Sequence, residues 1–176
     1  SLNGTTLEWF EMNKVISILD FITENYSSKY DEIFVYGISG GGTIALYTSA
    51  VDCRIDAVVS SGIVQNRLSS YSDYSARRGN YKRNDFNLRN HYYLPRYPFY
   101  KNYTFINISK LIFPRPLRIE CGENDKILFK YDIQGICEEI NDIYKMNGNE
   151  NKFSFFTHDG AHESDPIATL QWYNNL

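Results

Sequence analysis

Two rhythms of apolar positions alternate along this chain. From Leu7 to Ile22 the residues Met12, Val15, Ile18, Leu19 and Ile22 recur at three and four, the spacing of an amphipathic helix. The polar run from Tyr26 to Asp31 breaks that period, and a short apolar strand follows at Ile33 to Tyr36. Gly40 opens a second helix, which Ile44, Leu46 and Tyr47 carry to about Ala50. Asp56 to Ser61, centred on Ala57-Val58-Val59, is a second strand whose uninterrupted apolar run suits a parallel sheet covered on both faces. A short helix is expected at Ile108 to Ile112, and Pro114-Arg115-Pro116 then leads into a third strand, Leu117 to Cys121. Ile133, Ile136, Cys137, Ile140, Ile143 and Tyr144 return to helical spacing until Asn147-Gly148-Asn149 stops them. Lys152 to Thr157, with Phe153, Phe155 and Phe156, is a fourth strand, and Asp165-Pro166 starts a last helix over Ile167 to Tyr173.

Strands alternating with helices predict an α/β fold, a mainly parallel sheet between helical layers, as one domain over residues 1–176. Residues 62–110 have no sustained period, and a stretch of that length inside a domain is expected to be a lid-like insertion. Charge sharpens this. The net charge is −3, yet Arg67 to Lys101 holds eight Lys/Arg against Asp73 and Asp85, a local +6. That segment is also rich in tyrosine. A solvated surface loop is the plain reading. The sharper one is a lid over a carbohydrate or acidic substrate, since tyrosine stacks on sugar rings and arginine pairs with carboxylates. Basic residues among aromatics also suit single-stranded nucleic acid, but no recognisable module surrounds them, so no nucleic-acid partner is expected. No apolar run reaches membrane-spanning length, so no membrane partner is expected either.

The candidate chemistry begins at Gly37-Ile38-Ser39-Gly40-Gly41, between the first strand and the second helix. A serine on such a corner holds its hydroxyl out above the sheet. Gly37 and Gly41 are both expected where neighbouring backbone leaves no room for a Cβ. The Gly40 N–H, opening the helix, can bond a developing oxyanion. An incidental serine in a glycine-rich turn is the alternative, but the flanking strand and helix favour chemistry. A phosphate-binding P-loop needs Lys before Ser/Thr, and Thr43 follows Gly42. Cys53, Cys121 and Cys137 are read as partly buried free thiols, and the three histidines are too scattered for a metal site. Ligand sites in parallel sheets lie beyond the carboxyl ends of the strands. The first, third and fourth strands bring Ser39, Asp125 and His162 to that edge. A serine needs a base to take its proton, and an imidazole oriented by a carboxylate can do so.

On Gly37-Ile38-Ser39-Gly40-Gly41, Gly122-Glu123-Asn124-Asp125 and Gly160-Ala161-His162, in that order, the chain resembles the α/β-hydrolase family over essentially its whole length. More narrowly, Gly37 to Gly42 and Ile112-Phe113-Pro114-Arg115-Pro116-Leu117 look like the acetyl xylan esterase and dienelactone hydrolase-like branch. The resemblance implies Asp125 as the acid in preference to Glu123. His162 is preferred to His158, which is expected to be a structural residue near the strand tip. Asp159 needs only a local hydrogen-bonding role.

Together these imply a serine hydrolase acting on a carboxylic ester such as an acetylated sugar, without metal or cofactor. A serine peptidase of the same fold and a catalytically silent binding module are the alternatives. The family normally has several strands before the elbow, and one helix and one strand precede it here. The first strands, and with them a second oxyanion donor, are expected to be missing. Weak turnover and association through the incomplete sheet edge would follow. No signal-peptide pattern is visible, but with the front of the fold expected elsewhere, cytoplasmic and secreted locations both stay open.

Overall fold

A computed structural model describes residues 7–62, 104–126 and 130–176. Most of the expected insertion, residues 63–103, lies outside the described residues. Among the described residues, five helices and four strands alternate: α1 (Leu7–Tyr26), β1 (Phe34–Ile38), α2 (Gly40–Val51), β2 (Ala57–Ser61), α3 (Phe105–Ile112), β3 (Leu117–Gly122), α4 (Lys130–Met146), β4 (Phe153–His158) and α5 (Pro166–Tyr173). The strands lie side by side in the order β1-β2-β3-β4, and every pair is parallel.

The register sorts the side chains. Val35, Val58, Leu117 and Phe153 align across the four strands and share one face. That face packs on α2, α3 and α4 through Leu46, Ile108, Ile112, Ile133, Ile140 and Tyr144. Leu117, Ile119, Val58 and Ile140 are at most 1% exposed, and each such side chain contributes about 1.5–3 kcal/mol by leaving water. The opposite face carries Phe34, Tyr36, Arg118 and Glu120, with α5 against it through a Phe34–Tyr173 stack at 4.7 Å.

The helix limits follow from caps. Thr104 Oγ1 accepts the Asn107 N–H at 3.1 Å, which starts α3 three residues before the expected Ile108. This helix is built into the core, so the end of the 62–110 stretch is scaffold. Asp165 Oδ1 accepts the Ala168 N–H at 3.0 Å and starts α5 where the sequence places it. In α4 the buried residues Ile133, Cys137, Ile140 and Tyr144 form the predicted stripe. In α1 the stripe needs correction. Leu19 is buried, but Ile18 is 57% exposed beside exposed Phe10 and Phe21. Ile18 sits a quarter-turn around the helix from Leu19, on a flank that α2 does not cover.

Candidate active site

The elbow is built as a sharp reversal. Ser39 has φ 54° and ψ −123°, a positive φ at a non-glycine residue, and such conformations cost about 1–3 kcal/mol. It precedes α2 at the N-cap position, where a serine normally bonds back to the helix. Here the side chain makes no capping bond. Its main chain is fixed instead, with Ser39 N–H donating to the Ser61 carbonyl at 2.8 Å, one step beyond the β1–β2 ladder. Gly37 explains the tightness, because a Cβ there would run into the Gly41 carbonyl. Gly41 itself corrects the expectation. Among the described residues a Cβ at that position meets nothing within 4 Å, so none of them requires the second glycine of the pattern. Gly40 begins α2, and the first turn leaves its N–H without an intrahelical acceptor.

At the neighbouring strand ends, His162 Nδ1 donates to Asp125 Oδ2 at 2.7 Å. The Asp125 side chain is fully buried and that of His162 is 25% exposed. With Nδ1 donating to the carboxylate, Nε2 is left as the ring's free acceptor. Gly62 lies against this pair. Its φ is +64°, and a Cβ would sit 3.2 Å from His162 Cε1 and 3.9 Å from Asp125 Oδ2. Ser61, which holds the Ser39 amide, is the residue before Gly62. The elbow and the His–Asp pair are therefore joined through two consecutive residues of β2 and its end.

The loop between β4 and α5 is fastened along its length. Glu123 N–H donates to the His158 carbonyl at 2.7 Å and Asn124 N–H to the Gly160 carbonyl at 3.0 Å. The Asn124 side chain donates to the Asp159 carbonyl at 2.6 Å. His158 accepts the Gly160 N–H on Nδ1 at 3.1 Å and pairs through Nε2 with the Glu163 carbonyl at 3.2 Å, contacts that fit the neutral ring with its proton on Nε2. His158 thus braces the loop that His162 occupies. Glu123 is exposed and accepts from Thr157 Oγ1 at 3.3 Å, apart from the Asp125–His162 bond. Of the cysteines, Cys121 and Cys137 are buried and Cys53 is exposed, so the uniform expectation of partly buried thiols fails at Cys53. A cavity of about 580 Å³ lies beside the loop, lined by His158, Asp159, Glu163 and Asp165 among others, and includes none of Ser39, Asp125 or His162.

One group went unnoticed in the sequence. Glu120 on β3 is 1% exposed and its carboxylate accepts from Tyr36 Oη and Thr169 Oγ1, both at 2.6 Å, and from Asp165 N–H at 3.3 Å. Arg118 Nε lies 3.5 Å from Glu120 Oε2, and its guanidinium sits 4.2 Å over the Phe156 ring. Burial and the Glu120 hydrogen bond push the Tyr36 hydroxyl up to about 12. Two charges at alternate positions of an otherwise apolar strand were the available signal.

No protein-family model matches the chain. A Bacillus subtilis (strain 168) protein described as "Putative hydrolase YtaP" is 28% identical over 149 residues, which cover 84% of this chain and 46% of that protein. Among solved structures, the Pyrococcus furiosus esterase Pf2001 aligns with TM-score 0.64 and 15% identity, over 94% of this chain and 59% of that one. A carbohydrate esterase family 15 glucuronoyl esterase from Caldicellulosiruptor kristjansonii aligns with TM-score 0.70 and 18% identity, over 97% and 49%. A glucuronoyl esterase from Solibacter usitatus aligns with TM-score 0.67 and 14% identity, over 93% and 46%. The chain spans about half the length of these relatives. With its parallel four-stranded sheet and flanking helices, it has the α/β-hydrolase fold.

Proposed function

We propose that this chain carries the catalytic centre of a serine hydrolase that cleaves carboxylic esters through an acyl-enzyme. The observation that carries the reading is the Asp125–His162 hydrogen bond at 2.7 Å, made by a fully buried carboxylate and backed by Gly62, the residue after the Ser61 that holds the Ser39 amide. In this reading His162 Nε2 takes the Ser39 hydroxyl proton as Oγ attacks the ester carbonyl. Asp125 holds the ring with Nδ1–H inward and stabilises the imidazolium. Gly40 N–H donates to the oxyanion, and removing one such donor costs on the order of 10²–10³ in kcat. Collapse of the tetrahedral intermediate sends the His162 proton to the leaving alcohol. Water then repeats the sequence on the acyl-Ser39 and releases the acid. No step calls for a metal or cofactor.

A carbohydrate ester is the substrate class we favour, with an acetylated sugar as its simplest member. Two of the structural relatives are named as glucuronoyl esterases, which puts alkyl esters of sugar acids on the same test panel. The experiment is a hydrolysis panel of acetylated sugars, sugar-acid methyl esters and peptide amides. Wild type should turn over one of the ester classes. Ser39→Ala and His162→Ala should each lose nearly all of that turnover, because residues acting as a unit are not additive. His158→Ala should lose far less. A greater loss at His158 than at His162 would reverse the assignment of the base, and turnover of amides alone would replace the esterase by a peptidase.

A further inference from the structure

We infer that Glu120 is a positioning residue for the His162–Asp125 pair, a buried carboxylate that fastens together the elements carrying the three residues of the site. The inference rests on the serine-hydrolase reading above. Two of its bonds reach the elements that carry Ser39 and His162, and Glu120 itself stands on the strand that leads to Asp125. Tyr36, which donates to Oε1 at 2.6 Å, stands three residues before Ser39 on β1. Glu120 itself stands five residues before Asp125 on β3. Asp165 N–H, which donates to Oε1 at 3.3 Å, stands three residues after His162 and closes its loop. Thr169 donates to Oε2 at 2.6 Å and ties in α5, and the Glu120 carbonyl accepts from Gly62 N–H at 2.9 Å, beside the imidazole.

A carboxylate suits this place because Tyr36 Oη, Thr169 Oγ1 and Asp165 N–H all donate to it. With a fully buried side chain the charge needs a partner, and Arg118 at 3.5 Å provides it. A purely mechanical core would use an apolar residue on this face, as Val59 does on the adjoining strand. The loop holding His162 is tied at its start by Glu123 N–H to the His158 carbonyl, and at its end by Asp165 N–H to Glu120. Release of the second tie lets the imidazole move relative to Ser39. A displacement of about 1 Å in such an arrangement can cost on the order of 10²-fold in rate.

The test compares wild type with Glu120→Gln, which keeps the shape and removes the charge, and Tyr36→Phe, which keeps the charge and removes one donor. Three quantities are read on the folded full chain: kcat and KM on a small activated ester, the rate of Ser39 labelling by a fluorophosphonate, and the low-field proton NMR signal of His162 Nδ1–H. Glu120→Gln should lower kcat on the order of 10–100-fold with KM within about twofold, slow labelling in step, and shift the His162 signal. Tyr36→Phe should change all three in the same direction by less. A Glu120→Gln protein that loses thermal stability alone, with the three quantities as in wild type, would make Glu120 a structural residue and overturn the inference. If that variant does not fold, Tyr36→Phe decides, and unchanged values there overturn it equally. If wild type neither hydrolyses the ester nor labels, the serine-hydrolase reading falls on its own. The His162 signal then still decides the positioning role, upheld by a shift in the variants and overturned by none.

Discussion

Gly62 shows how much one missing atom can matter. Its φ of +64° and the 3.2 Å between a built Cβ and His162 Cε1 mean that Gly62→Ala must both strain the backbone and push the ring. We expect kcat to fall by about tenfold or more with KM little changed, because the imidazole is displaced from its productive position. Gly41→Ala is the contrast. Its Cβ, in the first turn of α2, meets none of the described residues, so ester turnover should persist and stability should rise by up to about 1 kcal/mol. Steady-state kinetics and chemical denaturation of the two variants check this, and equal losses would contradict it. In the sequence Gly37 and Gly41 look alike, since the pattern marks both. Only the fold shows that the Gly41 carbonyl blocks position 37 while position 41 has no close neighbour among the described residues. Gly62 carried no motif, because the ring it makes room for arrives from the far end of the chain.

Among the elements, the turn before β3 does more than deliver the strand. Arg115 donates from Nη1 to the Ile55 carbonyl at 2.7 Å and the Asp52 carbonyl at 3.1 Å, from Nη2 to the Ser49 carbonyl at 2.5 Å, and from Nε to the Ile112 carbonyl at 3.2 Å. Tyr144 Oη donates to the Arg115 carbonyl at 2.7 Å. One guanidinium thus closes the C-terminal ends of α2 and α3 and the entry to β2, where unpaired carbonyls and helix dipoles both favour a cation. Arg115→Met should destabilise the fold by about 2–4 kcal/mol, as several carbonyls lose their donors together. Arg115→Lys should recover little of this, for an ammonium cannot span acceptors on three segments. Urea denaturation measures both, and a loss of only a few tenths in either variant would show the clamp to be dispensable. The sequence offered Pro114-Arg115-Pro116 as a turn and a point of resemblance, but the carbonyls that Arg115 serves belong to distant segments. Strands and helices were legible because their periods are local. The α3 start was missed because Thr104 caps it from outside the apolar run.

At the scale of the whole molecule, the order of elements fixed which strand ends meet, and this is why Ser39, Asp125 and His162 could be nominated from the sequence. The polar network behind them was hidden, since its members are spread over β1, β3, the β4–α5 loop and α5. Three tyrosines, one of them Tyr36 of that network, also shape the molecule's response to alkali. Tyr36 is pushed up to about 12 by burial and then by Glu120, Tyr173 to about 12 by burial and then by Glu32, and Tyr144 is raised by burial. Each holds its proton in the folded state beyond the pH near 10 at which the unfolded chain releases it. The folded state then binds more protons, so stability falls as pH rises from about 10 to 12, and Tyr36→Phe should flatten that slope. Urea midpoints across this range would show it, and parallel slopes in wild type and variant would contradict it. The central claim, that Ser39 is a nucleophile driven by His162 and Asp125, is tested most directly by intact-mass measurement after exposure to a fluorophosphonate. The account predicts a single adduct on wild type, mapped to Ser39, none on Ser39→Ala, and sharply slowed addition on His162→Ala and Asp125→Asn. An adduct on another residue, or equal labelling of wild type and Ser39→Ala, would contradict it.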